Sequence, residues 1–318
     1  MSMTNSRTGN TISLGKTDLL VPKMGIGTWS WGERLFWGFG RGYTEEDIRA
    51  AFDINLAADV NFFDTAEAYG RGNSERLLGK FAFDSGKNVI IATKFMPYPW
   101  RLWKGSMHAA LKNSLARLKR DHLDLYQIHW PFPPIPIRVW VDGLAEVVES
   151  GLVRSVGVSN FSVEQMKIAH SILAKRGIPL ASNQVEYNLL NRKIEYNGLL
   201  SLCKDLGVSL IAYSPLSQGL LTGKYTPENP PSGVRGMRYR AALLERIQPL
   251  INQEREIGRE HGNKTPAQVA INWTISKGTL PIPGAKNARQ AQENLGALDW
   301  KLSEGELNAL DKISREIS

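Results

Sequence analysis

The 318-residue sequence predicts an α/β fold closed as a (β/α)8 barrel of the TIM type. Short apolar, β-branched runs recur eight times along the chain. Each is followed by a stretch with helical patterning and helix end signals, which implies parallel strands joined by right-handed crossovers. The alternative, an open doubly wound sheet, would carry a glycine fingerprint after its first strand. The stretch "GIGTWSWG" (Gly25 to Gly32) has the wrong spacing for G-x-G-x-x-G.

The strand runs, in order, are "KMGIG" (23–27), "VNFF" (60–63), "NVIIATK" (88–94), "LDLYQIH" (123–129), "VRSVGVS" (153–159), "LASNQVE" (180–186), "VSLIAYS" (208–214) and "TLPIPG" (279–284). Most show little polar alternation, as strands buried on both faces should. Between them, "TEEDIRAAFDINLAA" opens on Thr44, and "SMHAALKNSLARLKR" ends basic, as a helix C-terminus prefers. "FSVEQMKIAHSILAKRG" begins with a capping box, Ser162 to Gln165, and stops at Gly177. "TPAQVAINWTISKG" has Thr265 as cap, Pro266 at the first helical position and Gln268 closing the box, and Ser303 with Glu306 repeats the signal. The stretch "TISLGKTDLLVPK" (11–23) makes residues 1–22 an N-terminal hairpin around Gly15-Lys16, placed to plug the N-terminal end of the barrel. Segments 131–140 and 217–240 read as long loops within one domain spanning 1–318.

The composition is that of a soluble globular chain, 42% hydrophobic and 22% charged. A single cysteine, Cys203, rules out an internal disulfide and fits a reducing compartment. The net charge of +8 is scattered among acids, which argues against nucleic acid; the densest basic stretch is "VRGMRYR", with Arg235, Arg238 and Arg240. No apolar run approaches the roughly 18 residues of a membrane span. The N-terminal stretch lacks an apolar h-region, so the expected home is the cytosol, with an organelle left open. Nothing has metal-ligand spacing.

In a parallel barrel the chemistry gathers at the C-terminal strand ends. Those ends carry Gly27, Thr28 and Trp29; Asp64, with Tyr69 just beyond; Lys94; His129 and Trp130; Ser159 and Asn160; Gln184; Tyr213 and Ser214; and Gly284, with Lys286 following. Taken singly, each has a plain structural reading: Asp64 as a cap, Lys94 snorkelling, His129 as a core histidine. Together they place four ionisable side-chain types at one mouth. Buried Asp and Lys are rare unless paired, and Asp64 and Lys94 would make such a pair. An ammonium near Tyr69 is expected to lower its pKa from about 10 toward a working range. His129 would orient a carbonyl. No side chain supplies hydride, so a cofactor must. Ser159, Asn160 and Gln184 suit a carboxamide, Tyr213 offers a flat face for a nicotinamide, and the helix start near Lys286 suits phosphate. Trp29, Trp31, Trp100 and Trp130 read either as rim packing or as an apolar substrate pocket with Tyr69 and His129.

The motifs "NFFDTAEAYG", "IATK", "LDLYQIHWP", "VGVSNF", "NQVEYN", "IAYSPLSQGLLTGKY" and "IPGAKNARQAQENLGAL" together resemble the aldo-keto reductases, from about Gly15 to the final helix. The resemblance implies NADPH bound in extended form to a barrel without a Rossmann domain. It implies a catalytic tetrad of Asp64, Tyr69, Lys94 and His129, with Tyr69 as general acid. It assigns nicotinamide contacts to Ser159, Asn160, Gln184 and Tyr213, and a pyrophosphate loop to Ser214, Pro215, Leu216, Ser217, Gly219 and Leu220. It assigns adenosine and 2′-phosphate contacts to Gly284, Lys286, Gln290, Glu293 and Asn294. Many members place an arginine shortly after the phosphate-binding lysine; the register here offers Arg289 or Gln290, and Gln290 is favoured. The expected reaction is reduction of an aldehyde or ketone with NADPH/NADP+ as cofactor. The expected partner is a small-molecule carbonyl substrate, and the chain is expected to be a monomer, a homo-oligomer being left open. The alternative is a slow-turnover, cofactor-binding regulatory subunit of the channel-associated type. Glu67 and Arg71, flanking Tyr69, are expected to face solvent or the substrate loops.

Overall fold

The structure is a computed structural model, which describes residues 11–103, 105–231, 236, 239 and 241–317. The basic stretch "VRGMRYR" falls largely outside the described residues, including Arg235, Arg238 and Arg240.

All eight expected barrel strands form: β3 (Ile26–Gly27), β4 (Phe62–Asp64), β5 (Ile90–Phe95), β6 (Leu123–Ile128), β7 (Val153–Ser159), β8 (Leu180–Glu186), β9 (Ser209–Tyr213) and β10 (Leu280–Ile282). They pair in chain order, every neighbour parallel. The seam between β3 and β10 closes through backbone bonds, Gly25 N–H to Pro281 O at 2.9 Å and Gly27 N–H to Pro283 O at 3.2 Å. Glycine is required there. A Cβ on Gly27 would stand 2.8 Å from Ile282 O, and one on Gly25 only 2.4 Å from the Phe62 ring. Helices cover the outside, and their starts follow the sequence signals. Thr44, Ser162 and Thr265 each cap with a reciprocal capping box, and Pro266 opens its helix. Among the described residues no helix is long and apolar enough to cross a membrane.

Two apolar cores result. The larger lies between strands and helices and includes Phe52, Phe63, Phe81, Trp140 and Trp273. The smaller fills the barrel's lower interior. There the N-terminal hairpin, β1 (Thr11–Ser13) paired antiparallel with β2 (Leu20–Pro22), inserts Leu14, Leu19 and Val21 against Phe62, Ile90, Leu125, Ile211 and Leu280. Gly15 N–H bonds Ser209 Oγ at 2.7 Å, and Arg154 bonds Asp18, so the plug is tied to the N-terminal ends of β9 and β7. Each of its buried side chains contributes about 1.5–3 kcal/mol of transfer energy.

Candidate active site

The opposite end of the barrel is built from different chemistry. β4 ends on Asp64, 1% exposed and in register with Ala92, and β5 delivers Lys94, fully buried, two residues further on. The Lys94 ammonium donates to Asp64 Oδ1, to Thr65 O at 2.8 Å and, at 3.4 Å, to the Tyr69 hydroxyl. It also lies 5.0 Å from the Tyr69 ring centre. The other Asp64 oxygen accepts from Gln184 Nε2 at 2.8 Å and Gln127 Nε2 at 3.2 Å. Asp64 is therefore a fully engaged anchor for the lysine, as a buried carboxylate must be. Gln127 was not singled out in the sequence, because a lone glutamine within a strand carries no signal. Gln184, read as a carboxamide contact, uses its own amide to hold Asp64.

Tyr69 begins a tight turn, Tyr69–Gly72, in which Gly70, Arg71 and Gly72 all have positive φ. The turn folds the phenol back over Lys94 instead of sending it to solvent. The ring meets His129 edge-on at 5.6 Å and Trp29 at 6.3 Å. The expected fall in the Tyr69 pKa is not what this geometry gives. Burial, aided by the Asp64 carboxylate, pushes the phenol well above the ordinary tyrosine value. The lysine cannot reverse this, because its charge is already compensated by Asp64, and burial lowers its own pKa. Burial, together with Lys94, holds His129 well below the usual histidine range, so its ring is neutral. The site thus holds a protonated phenol beside a neutral imidazole.

Of the two roles expected for Glu67, facing solvent or facing a substrate loop, the structure gives contact with the loop after β5. The Glu67 carboxylate binds Arg101 through two bonds, 2.5 and 2.9 Å, and accepts Met96 N–H at 2.7 Å. Arg101 also donates to Met96 O and lies over the rings of Phe95 and Tyr98. This clasp joins the Tyr69 turn to the loop after β5. Arg71 is exposed, as expected.

A cavity of about 900 Å³ opens above Tyr69. It is lined by Trp29, Trp37, Tyr69, His129 and Trp130, and by Gly284, Lys286, Arg289, Gln290, Glu293 and Asn294. Ser159, Asn160, Gln184, Tyr213 and the turn after β9 complete the lining. Tyr213 Oη donates to Asn160 Oδ1 at 3.1 Å, and Asn160 Nδ2 donates to His129 O and Ser159 Oγ, so this wall is one hydrogen-bonded unit. In the turn, Ser214, Pro215, Leu216 and Gly219 line the cavity, with Gln218, Thr222 and Lys224.

Several expected contacts lie behind the wall. Trp31 is fully buried among Phe63 and Phe81, its indole donating to Ala285 O, and belongs to the core, not to a substrate pocket. Thr28 is fully buried and bonds Asp64 O and Ser74 Oγ. Leu220 packs in the core, and Ser217 is not among the residues lining the cavity. Both Arg289 and Gln290 line the cavity, and Gln290 Oε1 accepts Lys286 N–H at 2.9 Å.

The sequence model of the Aldo/keto reductase family matches residues 23–315. The chain belongs to this family and is an oxidoreductase. A pyridoxal reductase, chloroplastic, of Arabidopsis thaliana is 44% identical over 311 residues, covering 94% of this chain and 84% of the relative. Among solved structures, an aldo/keto reductase from Klebsiella pneumoniae in complex with NADP and acetate is 31% identical, with a TM-score of 0.76 over 96% of this chain and 95% of that one. The glycerol dehydrogenase AKR11B4 from Gluconobacter oxydans is 26% identical with a TM-score of 0.86, over 97% and 96% of the two chains.

Proposed function

We propose that this protein is an NADPH-dependent reductase of aldehydes, with pyridoxal or a similar aromatic aldehyde as substrate. The observation that carries the reading is the contact of Lys94 with both Asp64 and Tyr69 at the floor of a cavity that also takes in His129. NADP(H) fits the rest of that cavity. Lys286 and Arg289 offer cations for phosphate, and Ser159, Asn160 and Tyr213 form a polar and aromatic wall for the nicotinamide. When bound, this cofactor supplies the hydride.

The residues do the remaining work. The neutral His129 holds the carbonyl oxygen within reach of Tyr69. Tyr69, protonated because it is buried, gives its proton to that oxygen as negative charge develops there. Lys94, fixed by Asp64, stabilises the phenolate that results, so its contribution grows along the reaction coordinate. Trp29, Trp37 and Trp130 offer flat apolar surface to an aromatic substrate. The Arabidopsis relative named as a pyridoxal reductase supports this substrate class. The reductase and dehydrogenase names among the relatives favour turnover over the regulatory-subunit alternative. The compartment reading is the cytosol, with an organelle as the alternative that the chloroplastic relative supports.

The test is NADPH consumption across a carbonyl panel that includes pyridoxal, aliphatic aldehydes and ketones. The reading expects pyridoxal to give the highest kcat/KM. Consumption with aliphatic aldehydes alone would discard the aromatic substrate class, and none with any carbonyl would discard the reaction.

A further inference from the structure

The loop between β3 and the helix Glu45–Ala57 contains the aromatic-rich stretch "WSWGERLFWGFGRGY", and only part of it serves the substrate end of the cavity. The Glu33 carboxylate accepts the backbone N–H groups of Leu35, Phe36 and Trp37, folding the loop into a compact knot. Within it Trp29 stacks on Phe36 at 5.2 Å, and Trp37 meets both rings edge-on at 5.3 and 5.1 Å. At the knot's far side sits Lys286. Its ammonium lies 4.6 Å from the ring centre of Trp37 and 4.6 Å from that of Tyr43, and donates to Trp37 O at 3.2 Å. Its backbone N–H is held by Gln290. Tyr43 is itself fixed, 6% exposed, with its hydroxyl donating to Ser30 O.

We propose that Trp37 and Tyr43 form an aromatic cage that positions Lys286 for the cofactor's 2′-phosphate, so that selection of NADP(H) over NAD(H) belongs to the β3 loop as much as to the lysine. This rests on the NADPH reading above. A free lysine has a long flexible stem, and ordering it on phosphate binding costs rotamer entropy. Two ring faces attract the ammonium without adding a countercharge, so the chain is ordered beforehand. Trp37 also lines the cavity and touches Trp29, which packs on Tyr69. Occupation of the phosphate end is therefore felt by a side chain in the substrate wall. Trp37 and Tyr43 act through Lys286 and are positioning residues.

The experiment measures binding of adenosine 2′,5′-bisphosphate and adenosine 5′-monophosphate by calorimetry, which needs neither nicotinamide nor turnover. The wild-type protein should prefer the bisphosphate, and Lys286→Met should lower that preference by about tenfold to hundredfold. Trp37→Leu should lower it by about threefold to thirtyfold with the monophosphate affinity little changed, and Trp37→Phe, which keeps a ring face, should retain most of it. The bisphosphate should also change tryptophan emission in the wild type and not in Trp37→Phe, a readout that does not depend on the leucine variant folding well. A Trp37→Leu protein that folds and keeps the full preference, or an emission change that survives Trp37→Phe, would overturn the cage while leaving the NADPH reading intact. A wild-type protein indifferent to the 2′-phosphate would overturn both.

Discussion

The two ends of the barrel interior solve opposite problems with the same strands. At the bottom, Phe62, Ile90 and Leu125 meet the hairpin's Leu14, Leu19 and Val21 in a dry plug. At the top, two residues further along β4 and four along β5, Asp64 and Lys94 are buried as completely, in a lattice of hydrogen bonds with Gln127, Gln184 and Thr65. Burial stabilises the lower end directly. At the upper end it raises the Tyr69 pKa and lowers those of His129 and Lys94, disfavouring the charged form of each. The lesson is that burial is a stabilising force below and a tuning device above.

The sharpest way to break this contrast is at Lys94. Lys94→Met leaves Asp64 buried without its countercharge and should cost about 3–5 kcal/mol in urea melts, with reduction abolished. Adding Asp64→Asn should recover most of that stability and none of the activity. A double variant that stayed as unstable as the single one would show that the pair is structural beyond its charge balance. At the lower end, Leu14→Ala should cost about 2–5 kcal/mol by opening a cavity, with kcat and KM unchanged in the folded fraction. Loss of kcat there would mean the two ends are coupled.

The barrel itself was legible from the sequence because its signals are local. β-branched runs, capping boxes at Thr44, Ser162 and Thr265, and Pro266 act within a few residues. The meeting of Asp64, Lys94, Tyr69 and His129 was legible because strand ends in a parallel barrel converge. The Tyr69 pKa was misjudged because a sequence displays the neighbouring charge but not the burial that outweighs it. Trp31 and Trp37 look alike in sequence, six residues apart. The first packs into the core and the second against the cavity and Lys286. The Glu67–Arg101 clasp spans 34 residues of chain and three bonds that no local pattern announces.

That clasp gives a smaller effect that sharpens the comparison. Glu67→Gln keeps the shape and one acceptor but loses the ion pair. It should lower kcat by about tenfold with a modest change in KM, since Tyr69 would still form but be held less firmly. An unchanged kcat would confine Glu67 to loop structure. The smallest expected effect is one of pH. With His129 neutral, kcat/KM for reduction should show no inflection near the ordinary histidine value of about 6.5. With the Tyr69 pKa raised, activity should fall only as pH rises beyond the ordinary tyrosine value of about 10. A fall beginning near neutrality would contradict the raised phenol pKa.

The central claim is that a phenol kept protonated by burial delivers the proton. Tyr69→Phe tests it most directly, because the ring stays and only the hydroxyl, 3.4 Å from Lys94, is removed. NADPH affinity by fluorescence titration and carbonyl reduction should be measured on the same preparation. The account predicts unchanged cofactor affinity with reduction slowed by about 10²–10⁴-fold. Reduction at the wild-type rate with cofactor bound would contradict it.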